Sequence, residues 1–162
     1  MVRPSNRSLA AIVGTGAAAA LLIFTPAQEG RELTTYRDIG GVLTYCDGAT
    51  ENAMAGRVYT NAECNAQLDH DLARHAEGVN ACAPMSRLTL GQRIAFVDAA
   101  YNIGIVGFCG SSMARLANAG DVVGSCAALF AWNGIVRNGV KTPIKGLILR
   151  RLRAIEICLT RK

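Results

Sequence analysis

Twenty-one consecutive uncharged residues, SLAAIVGTGAAAALLIFTPAQ at 8–28, lie between Arg7 and Glu29 and constrain this chain more than any other feature. As one helix the run would be about 31 Å long at 1.5 Å per residue, close to the thickness of a bilayer's hydrocarbon core. Its transfer free energy is low for a span, because Gly14, Gly16 and the run Ala17 to Ala20 gain far less than Leu or Ile on leaving water. A helix of a cytosolic core is rarely uncharged for about six turns, so the segment reads as an export signal. Arg3 and Arg7 precede it and Glu29 and Glu32 follow, an asymmetry that sends the rest of the chain outward. Two forms fit the pattern, a signal peptide cleaved near Thr25-Pro26-Ala27 and a retained anchor of marginal hydrophobicity, and composition does not separate them.

All six cysteines, Cys46, Cys64, Cys82, Cys109, Cys126 and Cys158, lie beyond the apolar run. An even number suits an oxidising compartment, and the wide spacing argues against zinc knuckles and thioredoxin chemistry. Spacing leaves the disulfide pairing open. His70 and His75 are the only histidines, and five residues apart on a helix they do not share a face, so neither a metal site nor a cofactor is expected.

At 162 residues the chain has the length of one ordinary domain, and with 51% hydrophobic against 18% charged residues it is far from a disordered composition. Aromatic residues are only 6%, which argues against a platform of stacked rings for nucleic acid, and no nucleic-acid partner is expected. Residues 1–80 hold six basic and nine acidic side chains, whereas 81–162 hold eleven basic and three acidic. The basic excess gathers in Arg137, Lys141, Lys145, Arg150, Arg151, Arg153, Arg161 and Lys162 and by charge alone suits an anionic surface such as wall polymer, phospholipid or nucleic acid.

Past the run, Val42, Thr44 and Cys46 alternate with their neighbours in strand fashion between the turn signals Gly40-Gly41 and Asp47-Gly48. A small antiparallel sheet follows from this, with 57–60 as a further strand. Thr60 with Glu63 and Thr89 with Gln92 are capping boxes that open helices, the first over 61–79. In the second, Leu90, Ile94, Val97 and Tyr101 form one apolar stripe, widened by Phe96, Ala99 and Ala100 to a nearly all-buried core helix. Short helices are expected at 112–119 and 121–130. A last helix after Pro143 carries the stripe Ile148, Leu152, Ile155 and Leu159, with Arg150, Arg151 and Arg153 at its edge.

The chemistry-bearing residues concentrate at 29–44. Glu29 and Asp38 are two carboxylates nine residues apart, one at a helix end and one in the loop entering a hairpin, so they can face each other across a groove. A pair of carboxylates in different surroundings is what glycosidic hydrolysis requires, one to protonate the leaving oxygen and one to stay ionised. Spacing alone is a weak signal, since most acid pairs nine apart are surface residues.

The intervals from Glu29 to Asp38 and from Asp38 to Thr44, with Gly30, Leu33, Tyr36 and Gly41 between, resemble the Glu, Asp and Thr of the phage-type lysozymes, glycoside hydrolase family 24. The similarity continues through Ala100-Tyr101-Asn102-Ile103-Gly104, Trp132, Gly146-Leu147 and Arg150-Arg151, and so covers nearly all of 28–159. The resemblance implies a mainly helical α+β, lysozyme-like fold, with a small antiparallel sheet lobe over about 29–60 and a larger helical lobe over about 61–162, preceded by an apolar N-terminal helix at 1–28. It implies cleavage of the β-1,4 bond between N-acetylmuramic acid and N-acetylglucosamine in peptidoglycan, with Glu29 as general acid, Asp38 and Thr44 holding a water, and inversion at the anomeric carbon. Asn102 is expected to contact a substrate acetamido group. Most family members carry a His where this chain has Ala49, and Asp47 adds a third acid.

In that family a short helix carries the catalytic Glu, and here only the apolar run is available to form it. Retention is therefore expected, in the manner of a signal-arrest-release endolysin. Such a chain is held in the host inner membrane with its N-terminus in the cytoplasm, then released to the periplasm as a monomer. Its partners are the membrane first and peptidoglycan afterwards. Three other functions are weighed. A membrane-anchored structural protein accounts for 8–28 but leaves the intervals among Glu29, Asp38 and Thr44 unexplained. A lytic transglycosylase needs one acid, and the presence of Asp38 and Thr44 speaks against it. A non-catalytic peptidoglycan-binding protein predicts a substituted Glu29, and Glu29 is present.

Overall fold

The computed structural model describes residues 7–38 and 40–161; Arg3, Ile39 and Lys162 lie outside the described residues. The apolar run is helical, in three pieces: α1 (Leu9–Val13), α2 (Thr15–Phe24) and α3 (Pro26–Glu29). Gly14 makes the first break at φ 91°, a backbone region that glycine tolerates and side chains do not. Pro26 makes the second, because its ring nitrogen has no hydrogen to continue the helical ladder. Among the described residues no helix is long and apolar enough to cross a membrane.

In this conformation the run is part of the core. Leu9, Val13, Ala17 and Leu21 are fully buried against α4 (Asn61–Cys82) and α5 (Leu90–Ile103). Burying a large aliphatic side chain stabilises by roughly 1.5–3 kcal/mol, so Leu9, Ile12, Val13 and Leu21 hold the segment strongly. The break at Gly14 frees the Val13 carbonyl, and Arg93 of α5 donates to it at 3.2 Å. Arg93 also donates to the carbonyls of Met85 and Leu88, which fixes the guanidinium in place.

Both capping boxes form as the sequence indicates. Glu63 N–H donates to Thr60 Oγ1 while Glu63 accepts from Thr60 N–H, and Gln92 and Thr89 repeat the exchange. Helix α5 is the centre of the molecule, buried from Ile94 through Ala100 and packed on α4, α2 and the last helix, α9 (Lys145–Thr160). Between α5 and α9 run α6 (Ile105–Cys109), α7 (Ser112–Asn118), α8 (Val122–Ala127) and a 3-10 turn at Ala128–Trp132.

The small lobe pairs β1 (Glu32–Arg37) with β2 (Leu43–Cys46) antiparallel, with Tyr36 opposite Thr44. The strand expected at 57–60 is a single bridge, Val58 to Thr34. This lobe has its own apolar cluster, Tyr45, Cys46, Ala49, Tyr59 and Cys64. A second hairpin, β3 (Gly134–Arg137) and β4 (Val140–Pro143), was not expected, although Asn138-Gly139 with positive φ at both residues forms its tight turn.

The last helix faces the core differently from the expected stripe. Its buried residues are Arg150, Arg151, Ala154 and Cys158, while Leu152 and Leu159 are exposed and Ile148 and Ile155 only half-buried. Buried carboxylate and carbonyl partners on other elements, together with a disulfide at Cys158, outweigh the apolar stripe in setting the rotation of α9. The bridges are Cys46–Cys64, Cys82–Cys109 and Cys126–Cys158.

Candidate active site

Glu29 is the last residue of α3, and Gly30 at φ 72° ends that helix and turns the chain into β1. The Glu29 side chain is 22% exposed, and Arg150 Nη1 donates to its Oε1 at 2.5 Å. The same guanidinium bonds Asp98, from Nη2 to Oδ1 at 2.9 Å and from Nε to Oδ2 at 3.2 Å. Asp98 is fully buried, and its Oδ1 also accepts from the Thr25 hydroxyl at 3.0 Å. Despite burial, Arg150 is held firmly protonated by Asp98 and Glu29.

Asp38 lies at the end of β1 in the turn to β2 and is exposed. Its backbone N–H donates to the Val42 carbonyl, and Val42 N–H donates to its Oδ1 at 2.8 Å, which closes the turn and fixes the carboxylate. Thr44 is buried in β2, and its hydroxyl donates to the Val42 carbonyl at 3.0 Å. Tyr36, opposite Thr44 in cross-strand register, is exposed. Partial desolvation, followed by the charges of Asp38, Glu32 and Glu29, raises the Tyr36 hydroxyl pKa.

Asn102, in the last turn of α5, accepts at Oδ1 from Arg151 Nη2, and Arg151 Nε donates to the Trp132 carbonyl at 3.0 Å. Burial, with Arg150 alongside, pulls the Arg151 pKa down to about 10. Asp47, the third acid of the region, is buried and held by Arg31, with Arg31 Nη2 2.7 Å from Oδ2. Arg31 continues to Asn65 of α4 at 2.8 Å, and the Tyr101 hydroxyl donates to the Asp47 carbonyl at 2.7 Å. Asp47 thus joins the sheet lobe to α4 and α5.

Sequence reasoning missed Thr25 and Asp98 and assigned Arg150 to a helix edge. Asp98 carried a usable signal, being the one charge within an otherwise buried run from Ile94 to Ala100, where a carboxylate requires a partner.

The phage lysozyme family profile matches residues 26–154. A SAR-endolysin of Enterobacteria phage PA-2 is 37% identical over an alignment covering 95% of this chain and 94% of the relative. A SAR-endolysin of Pseudomonas phage phiKMV is 36% identical, with 88% of each chain covered. Among solved structures, an endolysin from Escherichia coli O157:H7 phage FAHEc1 superposes with a TM-score of 0.77 at 28% identity, covering 91% of this chain and 93% of that one. The muramidase domain of SpmX from Asticaccaulis excentricus reaches 0.80 at 29% identity, covering 87% and 95%. By profile, by relatives along nearly its whole length and by fold, this chain belongs to the phage lysozyme family.

Proposed function

We propose that this protein is an endolysin that hydrolyses the β-1,4 bond between N-acetylmuramic acid and N-acetylglucosamine in peptidoglycan and thereby lyses the host cell. The observation that carries the reading is the grouping of three side chain types around one hairpin. Glu29 ends the helix that leads into β1, Asp38 closes the β1–β2 turn, and Thr44 lies in β2.

In this mechanism Glu29 gives a proton to the leaving glycosidic oxygen. Arg150 occupies Oε1, so Oε2 is the oxygen that carries that proton. Asp38 stays ionised on the far face of the sugar and, with the Thr44 hydroxyl, orients a water for attack with inversion. Asn102 contacts an acetamido group through its amide N–H, its oxygen being engaged by Arg151. Glu29→Gln is expected to abolish hydrolysis while leaving the fold intact, and persistent muralytic activity would overturn the assignment. Product analysis separates hydrolysis from a lytic transglycosylase, whose anhydro product is one water lighter.

In the same reading residues 1–28 form a releasable segment and 29–162 the lysozyme domain, with a sheet lobe at 29–60 and a helical lobe at 61–162. The segment first sits in the inner membrane with its N-terminus in the cytoplasm, and the released monomer works in the periplasm. Support comes from the uncharged run at 8–28 and from the relatives' description as SAR-endolysins. Collapsing the membrane potential should move the full-length chain from an inactive membrane fraction to an active soluble one. A chain beginning near Gln28 with full activity would contradict retention.

A further inference from the structure

Helix α3 has four residues, too few to hold a helical turn by itself, so the position of Glu29 depends on what grips the two ends of that turn. At its start stands Thr25, fully buried, whose hydroxyl makes no capping bond to α3 and donates instead to Asp98 Oδ1 at 3.0 Å. At its end Glu29 accepts from Arg150. Asp98 and Arg150 are bonded to each other by two contacts, and both are buried. The result is a closed ring: Thr25 to Asp98, Asp98 to Arg150, Arg150 to Glu29, and back through one turn of helix. Thr25 and Glu29 are four residues apart and so lie on the same side of that turn, facing the pair.

We propose that Thr25 is a positioning residue for Glu29, acting through its bond to Asp98 and through Arg150. The inference rests on the assignment of Glu29 as general acid. Without the Thr25 hydroxyl, the start of α3 has lost its polar grip on α5, and Asp98 Oδ1 keeps only Arg150. The guanidinium then settles on Asp98 alone, and Glu29 is no longer held at a fixed distance from the hairpin.

The test compares Thr25→Val, which keeps shape and removes the donor, with Thr25→Ser, which keeps the donor, in the released full-length chain. Turnover is measured per folded molecule, with the folded fraction taken from calorimetry. Thr25→Val should lose about tenfold in kcat at unchanged KM, the size of effect expected from a misplaced catalytic group, and Thr25→Ser should stay within about twofold of the parent. Should the Val variant not fold, Thr25→Ser against Thr25→Ala gives the same comparison, since only Ser keeps the hydroxyl. Wild-type kcat without the hydroxyl, or a loss that follows the folded fraction and is not restored by Ser, would overturn the proposal. Glu29→Gln run alongside separates the two ideas: activity in that variant defeats the assignment of the acid, whereas its inactivity beside a fully active Thr25→Val defeats the positioning role alone.

Discussion

Asp98 and Arg150 form an ion pair whose side chains are 0% and 5% exposed, 52 residues apart in sequence and 2.9 Å apart in space. Taking two charges out of water costs several kcal/mol per ion, and attraction offsets this only when the remaining oxygens and N–H groups are also bonded. Here Thr25 and Glu29 supply those bonds.

Removing one partner strands the other. Arg150→Leu should cost about 3–5 kcal/mol, because Asp98 is left as an uncompensated buried charge, while Asp98→Leu with Arg150→Leu should cost less than Arg150→Leu alone. Urea unfolding of the two variants checks this, and an unshifted midpoint for Arg150→Leu would count against the pair's structural role.

Gly91 is the contact point between α5 and the end of α9. Its N–H donates to the Arg161 carbonyl at 2.7 Å, and a β-carbon there would lie 2.4 Å from the Ile157 carbonyl oxygen and 2.6 Å from that of Cys158. These are backbone atoms of a helix and cannot turn aside, so Gly91→Ala should destabilise by about 1–3 kcal/mol, as overpacking does. Calorimetry would show a lowered Tm, and an unchanged Tm would mean that α9 shifts freely.

His75 gives stability a slope with pH. Burial pushes its imidazole below the ordinary 6.5, against the bond between Nδ1 and the Asp71 carbonyl, which favours the charged form. Well above pH 6.5 neither folded nor unfolded chain binds the proton, and the group is neutral in both. As pH falls below 6.5 the unfolded chain takes a proton that the folded chain resists, so stability declines until the lower folded pKa is reached. His75→Phe keeps a ring against Tyr101 and should flatten this part of the profile of unfolding free energy. Parallel profiles for parent and variant would be inconsistent with a depressed His75.

The Cys46–Cys64 bridge ties the strand that carries Thr44 to the first turn of α4. Its sequence separation is 18, and replacing both cysteines by Ala should cost about 3 kcal/mol, chiefly by freeing the unfolded chain. Denaturant unfolding of the oxidised parent against the double variant measures the loss.

Local rules were legible where partners lie close in sequence. Thr60 with Glu63 and Thr89 with Gln92 announced α4 and α5, and the apolar stripe through Ile94 and Val97 announced the core. The reading of Glu29, Asp38 and Thr44 as a site rests on resemblance, since no local physics singles out an acid pair nine residues apart. What escaped depends on distant pairing. Arg150 reaches across 52 residues to Asp98 and across 121 to Glu29, and an arginine in an apolar stripe looks like an edge residue until its carboxylates are known. The β3–β4 hairpin escaped despite its Asn138-Gly139 turn because its strands are four residues each and mostly exposed, leaving no alternation to read.

Gly14 holds φ 91° and ψ 154°, at once the end of α1 and the start of α2. A straight helix through the same residues, such as the proposed membrane-held segment, needs φ near −63° at that position. Any side chain there would oppose the bent form by about 1–3 kcal/mol, and alanine would in addition favour the straight one by about 1 kcal/mol. Both effects point the same way, so the identity of residue 14 weights a two-state balance: with glycine the chain leans neither way by its own backbone, and with alanine it is biased toward staying in the bilayer.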